Sequence, residues 1–79
     1  MVDRQKLLER IVIDPEVMVG KPVIEGTRLT VQLVLGLLGQ GMSFEEIFEN
    51  YPGITKEDVY ACLLFATKAL DDVTFAPLV

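Results

Sequence analysis

This 79-residue chain has few residues suited to chemistry: one cysteine, Cys62, twelve carboxylates, seven cations and no histidine. A cysteine nucleophile needs a neighbouring base, and Cys62 instead lies among Val59, Leu63 and Ala66 at helical spacing, which reads as a packed, inert thiol. A single cysteine excludes an internal disulfide, and without histidine it also excludes a cysteine/histidine zinc site. Acid–base or metal–carboxylate catalysis requires carboxylates that converge in a cleft. Glu45, Glu46, Glu57 and Asp58 fall instead in the first turns of predicted helices, where negative charge complements the dipole and satisfies free N–H groups. The chain therefore reads as a non-enzyme, with no cofactor and no metal.

Two glycine turns carry cations, Gly20-Lys21-Pro22 and Gly26-Thr27-Arg28. Glycine-rich turns beside a cation bind anions, but no G-x-x-x-x-G-K-[ST] string or strand-to-helix crossover surrounds these, and turn chemistry accounts for both glycines. Lys21 and Arg28 remain the cations best placed to meet a phosphate on DNA or a carboxylate on a partner. Charge is also unevenly spread. Residues 1–30 hold five cations and five acids, whereas residues 31–79 hold two cations and seven acids, so the whole net charge of −5 lies in the second part. A polyanion is repelled from that part.

The elements that must position these residues belong to one domain. Residues 1–30 form an N-terminal arm and β-hairpin, residues 31–71 a three-helix unit and residues 72–79 a tail. A short helical turn at Arg4–Leu8 precedes Ile11-Val12-Ile13, a β-branched triplet that reads as a strand stopped by Asp14-Pro15. Val23–Ile24 and Arg28–Thr30 read as two extended pieces joined by a turn on Glu25-Gly26, and Pro22 marks the first as an edge or a strand start. Short exposed edges invite pairing with another copy. Thr30 caps a first helix from Val31 to about Gln40, closed by Gly41. It is apolar nearly all round, which predicts a central position, and Gly36 and Gly39 predict a neighbour packed close. The capping box Ser43-Phe44-Glu45-Glu46 opens a second helix ended by Pro52-Gly53. A second box, Thr55-Lys56-Glu57-Asp58, opens a third that runs to about Leu70. Its core stripe reads as Val59, Cys62/Leu63, Ala66 and Ala69/Leu70, leaving Tyr60, Leu64 and Phe65 as a candidate partner surface. The tail, with Phe75 and Pro77-Leu78-Val79, is read as frayed or docked on a partner.

The fold class that follows is mostly α with a small N-terminal β segment, a three-helix helix-turn-helix bundle. Helix-turn-helix proteins present basic or amide groups from the second helix of the pair, whereas Lys56 here is followed by Glu57 and Asp58. DNA contact would therefore come from Lys21, Arg28, Arg4 or Lys6, with Lys56, in two copies acting together.

Apolar residues make up 51% of the chain, yet a chain of this size buries only roughly 63% of its unfolded surface. The surplus predicts burial against another chain. A membrane does not supply that burial, because no apolar run approaches the ~20 residues a span needs. The start, Met1-Val2-Asp3-Arg4-Gln5-Lys6 followed by Glu9-Arg10, lacks the apolar core of a signal, so the expected setting is cytoplasmic.

Several strings then carry a resemblance: Ile13-Asp14-Pro15-Glu16-Val17, Gly20-Lys21-Pro22-Val23-Ile24, Gly26-Thr27-Arg28-Leu29-Thr30-Val31, Gly41-Met42-Ser43-Phe44-Glu45-Glu46-Ile47, Tyr51-Pro52 and Ile54-Thr55-Lys56-Glu57-Asp58-Val59. Over roughly residues 11–69 the chain resembles the small prokaryotic family called domain of unknown function 433. Gly20, Gly26 and Thr27, with Lys21, Pro22 and Arg28, carry the signature. Val19 stands where a second glycine is common, a departure that touches only the turn. The resemblance implies a homeodomain-like or winged-helix-like three-helix fold behind an N-terminal β segment, and a VapB-like antitoxin of a type II toxin–antitoxin pair, a dimer whose partner is a PIN-like ribonuclease toxin and which sometimes represses its own operon. It implies no catalytic residue.

The resulting expectation is a homo-oligomeric, first of all dimeric, antitoxin-like binding protein that neutralises its toxin by direct contact. The alternative is a dimeric DNA-binding regulator. Expected contacts to DNA or partner are Lys21, Arg28 and Lys56. The expected dimer or partner surface is Pro22, Val23, Ile24, Tyr60, Leu64 and Phe65.

Overall fold

The structure, a computed structural model, describes residues 3–71, and short-range side-chain bonds start each α-helix among them. Asp3 accepts from the N–H groups of Gln5 and Lys6 and opens α1, Arg4–Leu8. Thr30 accepts from Leu33 N–H at 3.0 Å and opens α2, Val31–Gly39. Reciprocal capping boxes open α3, Phe44–Asn50, and α4, Lys56–Ala69: Ser43 pairs with Glu46, and Thr55 with Asp58. Each such cap contributes about 1 kcal/mol, which matters for helices this short. α2 ends as the sequence predicts. Gly41 takes φ +95°, a left-handed conformation that glycine adopts without strain, so Met42 N–H reaches Leu37 O and Gly41 N–H reaches Leu38 O.

The chain is thus mostly helical with a two-stranded antiparallel sheet near its start. β1, Ile11–Val12, pairs with β2, Val23–Ile24, in the register Ile11 to Ile24 and Val12 to Val23. The expected turn on Glu25-Gly26 is present, with Thr27 N–H donating to Ile24 O at 3.0 Å and Gly26 at φ +80°. The expected hairpin partner, Arg28–Thr30, instead makes only an isolated bridge from Thr30 to Val23. β2 is therefore not an edge. Glu25 N–H donates to Arg10 O on the β1 side, while Ile24 N–H donates to Leu29 O and Val31 N–H to Pro22 O on the other.

Ile24, Val31, Val34, Ile47, Ile54, Val59 and Cys62 form the core, with Phe65, Leu35 and Phe44 packed against it. α4 is the hub: α1, α2 and β1 all pack on it. Val59 and Cys62 of the predicted stripe are buried as expected, whereas its C-terminal end is not. Asp58, Val59, Ala61 and Cys62 are buried, while Leu63 is 40% and Leu70 52% exposed. α2 also differs from expectation. Only Val31 and Val34 are buried, and a Cβ placed on Gly36 or Gly39 meets nothing within 4 Å. The helix lies at the surface, and among the described residues no neighbour packs on its glycines.

Candidate functional site

The signature turn is built from its own side chains. Thr27 hydroxyl donates to Ile24 O at 2.8 Å and accepts from Leu29 N–H at 3.0 Å, which closes the loop and sends Arg28 outward into solvent. Further upstream, three residues in succession take positive φ: Met18 at 49°, Val19 at 56° and Gly20 at 77°. A β-branched residue in this region is strained. Val19 is nevertheless 92% exposed and gains no burial in exchange. The turn leads directly to Lys21 and Pro22.

From there the surface opens into a groove of about 600 Å³ between α2 and α4. Pro22, Leu35, Gly36, Phe65, Ala66 and Leu70 give it an apolar lining, with Lys21 and Gln32 at its rim. Gly36 of α2 and the short Ala66 and Ala69 of α4 all line the groove and leave space between the helices. This arrangement offers apolar contact with one cation beside it, which suits binding rather than bond breaking.

The sequence-predicted surface residues therefore separate. Lys21, Pro22 and Phe65 come together in the groove. Val23 and Ile24 are corrected: at 1% and 2% exposure they belong to the core and present nothing to a partner. They are buried because β2 runs between β1 and the Leu29–Val31 limb, and Ile24 belongs to the core cluster with Val31 and Val34. Tyr60 is half-buried, its ring edge-on to Phe44 at 5.9 Å between centroids. Leu64 faces α1 in a second, more polar hollow with Arg4, Leu8, Lys68 and Asp71. Gly26, Thr27 and Arg28 line a third, beside Val12 and Asp14. Lys56 is exposed in the first turn of α4 and lines none of these hollows. Gly20 belongs to the left-handed turn.

A further residue pair was not legible in the sequence. Asp58 is 6% exposed and uses both oxygens: Oδ2 accepts from Thr55 N–H at 2.9 Å, and Oδ1 accepts from Arg10 Nη1 at 3.0 Å. The N-cap of α4 is thereby clamped to the segment between α1 and β1. One turn on, burial together with the Asp58 charge pushes the Cys62 thiol up to about 12, so the thiolate is suppressed. No group of three or more metal-ligating side chains occurs among the described residues.

Residues 11–66 match the family described as Protein of unknown function (DUF433). The chain belongs to the DUF433 family. It is also similar to a solved structure of a DUF433 member protein from Anabaena variabilis, with 34% identity, a TM-score of 0.73 and coverage of 81% of this chain. The likeness spans 63% of that protein's chain. No curated protein matches. The DUF433 match takes in β1, β2, α2, α3 and most of α4, including the left-handed turn and the α2 wall of the groove. α1, Ala69 and Leu70 lie outside it. No helix among the described residues is long and apolar enough to cross a membrane.

Proposed function

We propose that this DUF433 chain is a non-catalytic binding module of antitoxin type. It inhibits a PIN-like ribonuclease by direct contact in the cytoplasm, as a homo-oligomer, with the α2/α4 groove as the primary contact. The observation that carries this reading is the groove itself: an apolar channel with Lys21 at its rim, on a chain whose one cysteine is buried and suppressed. The net charge of −5 supports it further, because an acidic protein complements the basic RNA-binding face of a ribonuclease. Co-expression with a PIN-like ribonuclease encoded beside its gene, followed by co-purification and an RNA-cleavage assay, tests the reading. Gly36→Arg puts a long side chain at the groove from a position where a Cβ meets nothing within 4 Å, and circular dichroism checks that the variant is folded. The expected result is at least about tenfold weaker inhibition, or about 1.4 kcal/mol. Full inhibition by Gly36→Arg, or no complex with the parent chain, refutes it.

A second reading, a dimeric DNA-binding regulator, draws on Lys21 and Arg28. Both are exposed, and neither forms an ion pair among the described residues, where the one salt bridge is Arg10–Asp58. The first turn of α4 weighs against the usual recognition-helix mode, since Asp58 is committed to Arg10 and Thr55 to the cap.

A further inference from the structure

We infer that the outward face of α2 docks on the same face of a second copy, the two helices running antiparallel about a two-fold axis near Gly36. The inference deepens the homo-oligomer part of the reading above, rests on that part alone, and names the face involved. Between Arg28 and Glu45 the chain carries no charge for sixteen residues, and α2 lies wholly within that stretch. Only Val31 and Val34 of the helix are buried. Leu33, Gly36, Leu37 and Gln40 recur at helical spacing, so they share one stripe on the side away from those two. With Lys21 they line a shallow hollow of about 370 Å³. Residues 72–79, read above as a tail, lie outside the described residues and carry no part of this.

Charge selects the occupant. Two copies that each carry −5 repel, and a two-fold contact sets identical charges near one another. α3 would bring Glu45, Glu46 and Glu49 toward their own duplicates, whereas α2 is the one α-helix among the described residues without a charged side chain. Orientation follows from the cation beside the face. Lys21 lines the hollow together with Thr30 and Gln32 at the start of α2, and it has no salt bridge among the described residues. In an antiparallel pair each Lys21 stands beside the C-terminal end of the other α2, whose free carbonyls carry partial negative charge. A parallel pair would set the two lysines side by side. A Cβ on Gly36 meets nothing within 4 Å, so two backbones can approach closely at mid-stripe. Pairing there sets Leu33 of each copy against Gln40 of the other. Nine residues of helix, about 13 Å, offer less than the about 20–30 residues per side of a stable interface, so the pair is weak and reversible.

Sedimentation equilibrium of the purified full chain, from micromolar to sub-millimolar concentration, tests the assignment. The expected result is a reversible monomer–dimer equilibrium, weakened at least about tenfold by Leu33→Glu. Leu33 is exposed and lies outside the core, and circular dichroism checks that each variant is folded. Adding Gln40→Lys to Leu33→Glu is expected to recover part of the association, because antiparallel pairing sets each glutamate against the lysine of the other copy, while the two stand about 10 Å apart within one helix. A monomer throughout, a dimer indifferent to Leu33→Glu, or no recovery in the double variant overturns the proposal. Disulfide formation gives an independent reading. Mixed Leu33→Cys and Gln40→Cys chains are expected to link to each other beyond the statistical share, with the buried Cys62 silent. Self-linked products at or above their statistical share overturn the antiparallel arrangement. Leu33 does not line the α2/α4 groove, so these results are separate from ribonuclease binding, and Leu33→Glu shows whether Gly36→Arg acts through the groove or through the second copy.

Discussion

Val19→Gly is expected to stabilise the protein, although it deletes a β-branched side chain. Val19 sits at φ 56° and ψ 39°, in the left-handed region, where an L residue pays about 1–2 kcal/mol and a β-branched one lies at the upper end. Removing its side chain forfeits almost no burial, because the residue is 92% exposed. Glycine's greater freedom in the unfolded chain takes back about 0.5–1 kcal/mol. The net is about 1 kcal/mol in favour of Val19→Gly, a rise in Tm of roughly 4–8 °C for a domain of this size. Thermal unfolding followed by far-ultraviolet circular dichroism measures it, with Val19→Ala as the control that removes the branch and keeps most of the backbone strain. An unchanged or lower Tm for Val19→Gly, or an equal gain for Val19→Ala, refutes the argument from backbone strain.

Four further outcomes follow from the same geometry. Arg10→Gln, which leaves the 9%-exposed Asp58 side chain without its cation, is expected to cost about 1–2 kcal/mol in urea unfolding; the 44% exposure of Arg10 keeps this below a fully buried pair. Because the folded Cys62 thiol is raised from 9.0 to about 12, the unfolded chain ionises first, so stability falls as pH climbs through that window, and Cys62→Ala is expected to flatten the fall. Glu46 is held below its ordinary 4.5 by the backbone N–H and hydroxyl of Ser43, so its contribution is present above that value and disappears as acid protonates it; Glu46→Gln should differ from the parent near neutrality and converge with it at low pH. If DNA is bound, Lys21→Ala and Arg28→Ala are each expected to flatten the salt dependence of binding by about one unit of log–log slope, and an unchanged slope removes those residues from the contact.

What the sequence determined by itself was whatever a few neighbouring residues decide. Thr30, Ser43 and Thr55 cap helices through bonds to backbone groups three positions on, Gly41 ends α2, and Gly26 with Thr27 closes a turn. All are local, so residue type and spacing suffice to read them. The same is true of the exclusions drawn from one cysteine and no histidine. Only the tertiary structure decided which surfaces those elements hide. Val23 and Ile24 look like an exposed edge because Pro22 precedes them, but the strand that flanks them comes from residues 11–12. Apolar composition marked α2 as central, yet packing on α4 from α1, α2 and β1 left the α2 glycines open and created the groove. Arg10 and Asp58, 48 positions apart, meet only because α1 docks on α4. Local bonds form whatever the rest of the chain does, whereas burial is a competition among all apolar faces for one small interior, and its outcome is not written in any single segment.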